Sequence, residues 1–338
     1  ERKLEEAKRV PLVREIGTPE KTGGTGKAIA WMFGAGVVGG LVTWIVWRAI
    51  FPIFENDEDS TNSNLFAAVS LAVVVGLVLV IGDVLRASAY SKFPQRIGIG
   101  IAAAVIAGLG LGLIANSLYG AGTERIIDEL VASGLDVFDD EFWEEFLARN
   151  QLNRGIAWAI IGLAAGATVG VASLQWKRAL ITGGGGLLGG FIGGYLFDAI
   201  PTEGAAQIIG LLITGLAIGG VIALTEQAVK SAWIEITHGG MAGKQFILYQ
   251  SRIVLGSSPS ADITLIKDPD IPPVAAVIDT SGASASVIAQ DPTVALFVNG
   301  IEASSAVLRD GDSISVGRTA VKYRERGNSA VNSGVVRS

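Results

Sequence analysis

The sequence contains no cysteine, and histidine occurs only once, at His238. The missing cysteines exclude disulfides, thiolate catalysis, zinc fingers and iron–sulfur clusters, and one imidazole cannot build a multi-histidine metal site. No arrangement of nucleophile, base and acid is visible either. We therefore expect neither a cofactor nor a metal site, and we predict that the chain is not an enzyme.

Charged residues are also scarce, at 17% of the chain, whereas soluble domains carry about 25%. The formal net charge is −6, and no basic stripe alternates with aromatic residues, so a nucleic acid is not an expected partner. What the sequence has in excess is glycine, with 45 residues, and these lie inside apolar runs. This composition predicts a protein that is solvated largely by lipid.

Six apolar runs between residues 28 and 226 are each long enough to cross a bilayer. A helix of about 20 residues, rising ~1.5 Å per residue, spans a hydrocarbon core about 30 Å thick. The sequence therefore predicts a six-span α-helical membrane domain over residues 28–228. The predicted spans are Ala28–Trp47, Leu65–Leu85, Ile97–Leu118, Gly155–Leu174, Ala179–Phe197 and Gly204–Leu224.

The segments between the spans alternate in charge. The N-terminal segment 1–27 and the connections 86–96 and 175–178 are basic, whereas 52–64 and 119–153 are acidic. Basic segments stay in the cytoplasm, so both chain termini are predicted to be cytoplasmic. We expect the protein to lie in a bacterial inner membrane.

Glycines spaced four residues apart predict close helix contacts, because small residues let two backbones approach. They serve either ordinary packing within one bundle or lateral association with further membrane subunits or a second copy. The candidate helix-packing residues are Gly162, Gly166, Gly170, Gly186, Gly190, Gly194, Gly215 and Gly219.

A transport path normally shows ionisable residues inside the membrane. In this chain Asp83 and Arg48 lie near span ends, and the spans otherwise carry hydroxyl groups. Hydroxyls that line a continuous path would favour a channel or carrier, whereas hydroxyls that bond backbone carbonyls would favour a scaffold. The side chains that decide between these alternatives are Thr43, Thr168, Thr182 and Thr214.

Residues 122–150, on the outer side, combine apolar residues at helical spacing with many acidic residues. We predict one or two short amphipathic helices, divided at Gly134, that lie on the membrane surface with their aromatic rings in the interface. This outer segment is either a docking surface for another membrane subunit or a solvated acidic face.

Residues 229–327 consist of short β-type runs separated by turns, which predicts an all-β sandwich. Residues 328–338 are predicted to form a flexible tail. Three motifs occur in order: 252–265 reads Arg-Ile-Val-Leu-Gly-Ser-Ser-Pro-Ser-Ala-Asp-Ile-Thr-Leu, 297–300 reads Phe-Val-Asn-Gly, and 308–317 reads Leu-Arg-Asp-Gly-Asp-Ser-Ile-Ser-Val-Gly. Together they resemble a forkhead-associated (FHA) domain.

The resemblance implies a sandwich whose apical loops bind phosphothreonine through an arginine and a serine. This chain departs from the family at those points, because Ser257 replaces the arginine, Pro272 the serine and Ala275 a histidine that braces the loop. We expect a cytoplasmic protein partner to bind the apical loops 257–262, 267–275 and 290–294 without phosphate. The candidate partner-binding residues are Ser257, Ser258, Ser260, Lys267 and Asn299.

These features favour a membrane-embedded scaffold or adaptor subunit of a larger complex, with an FHA-like protein-binding domain on the cytoplasmic face. One alternative is a channel or carrier subunit that is gated by the FHA-like domain. A second alternative is a signalling protein that senses phosphothreonine.

Overall fold

The computed structural model describes residues 24–54, 61–87, 93–197, 206–265, 268–282 and 284–326. The chain divides into two compact units between Lys230 and Ser231, two residues from the predicted boundary. Six helices of the described residues are long and apolar enough to cross a membrane, and a β-sandwich follows them. The predicted fold class is confirmed. The helices are α1 (Gly24–Ile50), α2 (Thr61–Ala87), α3 (Phe93–Ala132), α4 (Asp140–Ala172), α5 (Trp176–Leu196) and α6 (Ala206–Val229).

Each helix covers all of one predicted span or all but one or two of its residues. Helix α1 begins at Gly24, so the predicted N-terminal segment 1–27 overlaps its first turn, and a short 3-10 helix, Phe51–Phe54, follows α1. Most of the N-terminal segment and the whole predicted tail 328–338 lie outside the described residues.

The outer segment differs from its prediction. Helix α3 continues without a break from Leu118 to Ala132, which adds about 20 Å at ~1.5 Å per residue. Helix α4 likewise begins at Asp140 and runs into the fourth span. Residues 122–150 therefore form a helical hairpin continuous with two spans, and the expectation of separate surface-lying helices was wrong. No proline occurs between Leu118 and Ala132 or in Asp140–Ala172, and the turn between the two helices contains Gly134 at φ +93°.

Many large apolar side chains on the outside of the helical unit are exposed, while others pack with small residues inside it. Exposed residues of this kind are typical of a surface that contacts lipid, since lipid chains are as apolar as leucine. The exposed side chains include Ile45, Ile106, Leu113, Leu180 and Leu188.

The glycine faces pack within one copy of the chain. Gly162 and Gly186 lie against each other's backbone carbonyl, and Gly166 lies against the carbonyl of Thr182, so that a methyl group at any of these positions would collide with backbone. Gly190 and Gly194 contact Trp158 in the same way. Helices α4 and α5 thus meet along one continuous glycine seam.

Glycines also line the two contacts that α6 makes with α1 and α5. On α6 itself, Gly215 lies against the carbonyl of Gly36 on α1, and Gly219 lies against that of Met32. On α5, Gly185 and Gly189 lie against the α6 backbone. Gly170 completes the first seam against Ala179. The structure places every candidate helix-packing glycine inside the bundle, so lateral association would need another surface.

The C-terminal unit is a sandwich of a six-stranded sheet, ordered β2-β1-β11-β10-β7-β8, and a five-stranded sheet, ordered β4-β3-β5-β6-β9. Strand pairs are antiparallel except β3 with β4. Two of the strands, β4 and β8, contain only two residues and therefore show no alternation that a sequence pattern could reveal. The strands are β1 (Ala232–His238), β2 (Gln245–Ile247), β3 (Arg252–Gly256), β4 (Ile263–Thr264), β5 (Ala276–Asp279), β6 (Ser286–Ala289), β7 (Leu296–Val298), β8 (Ile301–Glu302), β9 (Ser305–Val307), β10 (Ser313–Val316) and β11 (Thr319–Glu325).

Alternation along the strands produces the sandwich core. In β1 and β11 every second residue is buried, which brings Ile234, Ile236, Val321 and Tyr323 between the sheets. The opposite sheet contributes residues such as Ile278 to the same cluster. The core fixes the ends of the strands, and with them the loops that correspond to the family's binding site.

Candidate functional site

Three predicted loops meet at one end of the sandwich, which we call the apical end. Strand β3 ends where antiparallel β5 begins, and β5 begins where antiparallel β6 ends. Backbone bonds tie the loops together: the N–H of Gln290 donates to the carbonyl of Ala275 at 3.0 Å, and that of Ala275 to Leu255 at 2.8 Å. The loops 257–262, 268–275 and 290–294 are therefore neighbours, as predicted.

At the apical end, the segment that replaces the family's arginine is paired with the segment that replaces its serine. The N–H of Ser257 donates to the carbonyl of Pro272 at 2.9 Å, and the N–H of Ser258 donates to that of Pro273 at 3.2 Å. The Gly256 backbone lies so close to Pro273 that no side chain would fit there. Two backbone donors are thus used within the domain, and the two prolines have no N–H to offer.

The remaining serines also bond within their own loop. The Ser258 and Ser260 hydroxyls lie 2.7 Å apart, and the N–H of Ser260 donates to Oγ of Ser258 at 3.1 Å. In the third loop, the Thr293 hydroxyl and N–H donate to the Asp291 carboxylate and hold its pKa below the usual value. These are turn-forming contacts.

The described residues of the apical loops carry carboxylates but no lysine, arginine or histidine. Lys267, the predicted basic residue, lies outside the described residues. A phosphate dianion would meet these negative charges, and no described residue of the three loops supplies a guanidinium to offset them. The carboxylates belong to Asp262, Asp268, Asp270 and Asp291.

Two of those carboxylates hold the loops in place. Asp268 is buried, and its Oδ2 accepts bonds from the N–H of Arg318 and the hydroxyl of Thr319, both at 2.8 Å. Asp270 forms an exposed ion pair with the Arg318 side chain at 2.8 Å. The second loop is thus attached to the β10–β11 turn.

Asn299 does not belong to the apical end, so the structure separates it from the other described candidates for partner binding. It follows β7, whereas loop 290–294 precedes β7, and the two lie at opposite ends of that strand. Asn299 has φ +52° and Gly300 has φ +81°, as in the two-residue turn of a hairpin. Its side chain donates to Asp312 at 2.8 Å and accepts from the N–H of Ser313 at 2.9 Å. Asn299 therefore stabilises a turn.

The exposed surface of the apical loops is apolar as well as acidic. Val274 is 39% exposed, and Pro259, Pro273 and Pro292 are exposed beside it. Such a surface suits a protein partner better than a phosphate group, because rigid apolar residues lose little entropy on contact.

In the helical unit, the four threonine hydroxyls bond backbone carbonyls one turn earlier in their own helices. The distances are 2.9 Å from Thr43 to Gly39, 2.8 Å from Thr168 to Ala164, 2.8 Å from Thr182 to Arg178, and 2.9 Å from Thr214 to Gly210, and all four threonines are buried. These hydroxyls satisfy backbone groups and do not line a path, which is the outcome that favours a scaffold.

The helical unit also contains a buried ionic cluster that sequence reasoning did not assemble. The Arg178 guanidinium binds both Asp83 oxygens, at 2.7 and 2.8 Å, and its Nε donates to Glu226 at 2.7 Å. Arg86 and Arg96 also approach Asp83, at 3.0 and 3.6 Å. The side chains of Arg178, Asp83 and Glu226 are at most 7% exposed.

This cluster lies where α2 and α6 end and α3 and α5 begin, an end we call the basic end of the bundle. One feature of the sequence pointed to this cluster: residues of opposite charge lie at the same predicted edge of the membrane. Asp83 precedes the end of one predicted span, and Arg178 precedes the start of another. Nothing in the sequence indicated that these side chains point towards each other.

Residues 235–327 match the family model Yop-YscD_cpl, described as the inner membrane component of T3SS, cytoplasmic domain. Among solved structures, the cytoplasmic domain of the T3SS sorting platform protein PscD from P. aeruginosa is 20% identical, with 32% of this chain and 98% of that chain covered and a TM-score of 0.27. The FHA domain of the CT664 protein from Chlamydia trachomatis is also 20% identical, with 29% and 99% covered and a TM-score of 0.27.

An FHA domain structure concerned with phosphothreonine-dependent interactions is 21% identical, covering 29% of this chain and 98% of that chain, with a TM-score of 0.27. A search of curated proteins finds no match. The family match extends over the sandwich and stops short of the six helices. The similarity to these FHA domain structures is confined to the C-terminal unit.

Proposed function

We propose that this chain is a non-enzymatic scaffold subunit of a bacterial inner-membrane complex. Its six helices hold an FHA-like domain at the membrane, and that domain binds a cytoplasmic protein without recognising phosphate. The pairing of Ser257 with Pro272 carries the proposal, because it uses a backbone N–H within the domain at the position that corresponds to the family's phosphate site.

The location rests on two supports. The sandwich matches a family described as an inner-membrane component of T3SS, and the basic connections predict cytoplasmic termini. Only the two residues Lys230 and Ser231 separate helix α6 from strand β1. The even number of predicted spans predicts that the chain leaves the membrane on the cytoplasmic side.

The scaffold role is favoured over conduction by the helix contacts. The threonine hydroxyls bond backbone carbonyls, and glycines bring α4 and α5 into close contact. An apolar bundle packed in this way is suited to anchoring a domain.

Phosphate independence can be tested with the full chain in mild detergent and fluorescently labelled phosphothreonine peptide libraries. We expect no saturable change in fluorescence anisotropy, and the same small signal for unphosphorylated peptides. Micromolar binding that requires the phosphate would overturn the proposal.

The scaffold role can be tested by mild-detergent purification from the native membrane followed by native mass spectrometry. We expect the chain to be present in a fixed ratio with at least one other subunit. A chain that migrates alone, and that conducts ions when it is reconstituted into a planar bilayer, would support the channel alternative instead.

A further inference from the structure

The basic end of the bundle contains more positive than negative charge around one buried carboxylate. Three guanidinium groups, those of Arg86, Arg96 and Arg178, converge on Asp83, and Glu226 is the second carboxylate of the cluster. The cluster therefore carries a formal charge of +1. In a low-dielectric surrounding, an excess charge of this kind favours a nearby anion.

The arginines around Asp83 contact its carboxylate at different distances. Arg178 occupies both carboxylate oxygens with a two-pronged contact at 2.7 and 2.8 Å. Arg96 is left at 3.6 Å, which is too long for a hydrogen bond. Arg86 donates to one of the same oxygens at 3.0 Å, so Asp83 holds Arg86 and Arg96 on the same side of the cluster.

Exposure separates an inner and an outer part of the cluster. The Arg178 and Glu226 side chains are 7% and 1% exposed, whereas those of Arg86 and Arg96 are 25% and 16% exposed. Arg86 and Arg96 are therefore the members of the cluster with side-chain surface facing outward, and helices α2 and α3 fix the positions of their backbones.

The position of the outer pair matches the depth of lipid headgroups. Arg86 follows the last residue of the predicted second span, and Arg96 precedes the first residue of the third. Phosphate groups of lipids lie at this boundary, and basic pockets between membrane helices are suited to anionic headgroups. Guanidinium groups bind phosphate oxygens with charge-assisted hydrogen bonds.

We propose that Arg86 and Arg96 form a binding site for the phosphate of an anionic phospholipid at the basic end of the bundle, with Asp83 and Arg178 as the buried support that positions them. The same chemistry would suit a free phosphate ion, so the test separates the two sources. This proposal does not depend on what the sandwich binds.

The experiment is native mass spectrometry of the full chain released from mild detergent, with phosphatidylglycerol or phosphatidylcholine of identical acyl chains added in turn. We expect one phosphatidylglycerol to be retained in clear preference to phosphatidylcholine. Each basic residue near an anionic headgroup is worth about fivefold in affinity, so Arg96→Gln is expected to lower the preference by about that factor.

Lys177→Gln is the matched control, because Lys177 is exposed at the same membrane edge, and among the described residues Asp83 forms its ion pairs with Arg86, Arg96 and Arg178. We expect this variant to keep the wild-type preference, and Arg96→Lys to keep most of it. Equal losses in Lys177→Gln and Arg96→Gln would mean a diffuse surface charge and overturn the proposal.

The comparison of the two lipids in the wild-type chain needs no variant, so it remains decisive if a substitution impairs folding. Equal retention of the two lipids overturns the proposal. Inorganic phosphate is the third arm, and we expect it not to displace phosphatidylglycerol. Full displacement by inorganic phosphate would assign the site to a free anion and refute the lipid.

Discussion

Replacing Arg178 with glutamine should strongly destabilise the helical unit. The substitution removes three charge-assisted hydrogen bonds of 2.7–2.8 Å and leaves the Asp83 and Glu226 carboxylates buried without this guanidinium. Removing one partner of a buried ion pair typically costs about 3–5 kcal/mol. We expect the free energy of unfolding to fall by about that amount, because Arg86 and Arg96 contact Asp83 less closely.

The measurement is the equilibrium unfolding of the helical unit in detergent, followed by far-ultraviolet circular dichroism. Arg125→Gln is the control, since Arg125 forms an exposed pair with Glu129 at the same short distance of 2.8 Å. An exposed pair contributes about 1 kcal/mol or less, so this variant should resemble the wild type. If Arg178→Gln lost no more stability than Arg125→Gln, the reasoning about the buried cluster would be refuted.

A combined variant tests the physical cause further. Apolar replacement of Arg178, Asp83 and Glu226 together removes the buried charges as well as their contacts. Replacing a buried ion cluster with well-packed apolar residues is often neutral or stabilising. We therefore expect the triple variant to be more stable than Arg178→Gln, and a lower stability would show that shape complementarity dominates at this site.

Further predictions concern the glycine seam and the sandwich. Gly186→Ala should lower the thermal stability of the bundle, because its methyl group would meet the α4 backbone, whereas Gly184→Ala has open space and should leave it unchanged in the same melting experiment. Burial raises the pKa of Tyr323 to about 12, so this tyrosine ionises at a lower pH in the unfolded chain than in the folded one. The stability of the sandwich should therefore fall as the pH rises from about 10 to about 12. Tyr323→Phe should remove this dependence in an alkaline unfolding titration. Returning the family's donors with Ser257→Arg and Pro272→Ser should produce phosphopeptide binding in an anisotropy titration, and an inactive double variant would mean that loop geometry, rather than missing donors, prevents binding.

At the apical end, the sequence predicted the positions of the loop residues but not their contacts. The strand motifs placed Ser257 and Pro272 at the positions where the family binds phosphate, and the structure brings these two residues together. Their backbone pairing was not predictable, because a hydrogen bond between two loops leaves no periodic pattern. Asn299 was misplaced for a related reason: the Asn-Gly turn was recognisable, but the end of the sheet on which it lies depends on strand pairing.

The conformation of the outer hairpin was predicted wrongly because a helix with amphipathic spacing can occupy either of two environments. A helix with an apolar stripe can lie on a membrane, or it can pack that stripe against a neighbouring helix. In this chain Leu130 and Phe142 are buried, whereas Phe138 and Trp143 are exposed, so only part of the apolar pattern serves packing between helices. The sequence pattern was read correctly as helical, and the choice between the two solutions depended on the tertiary structure.

The sequence by itself determined the features that depend on chemical composition along the chain: six lipid-soluble helices, a β-sandwich with family motifs, and the lack of an arginine where phosphate would bind. These follow from local hydrophobicity and residue identity, which every segment carries with it. Only the tertiary structure decided which distant side chains meet, including Arg178 with Asp83 and Glu226, and Ser257 with Pro272. Such contacts depend on helix rotation and strand register, and these are set by the packing of the whole unit.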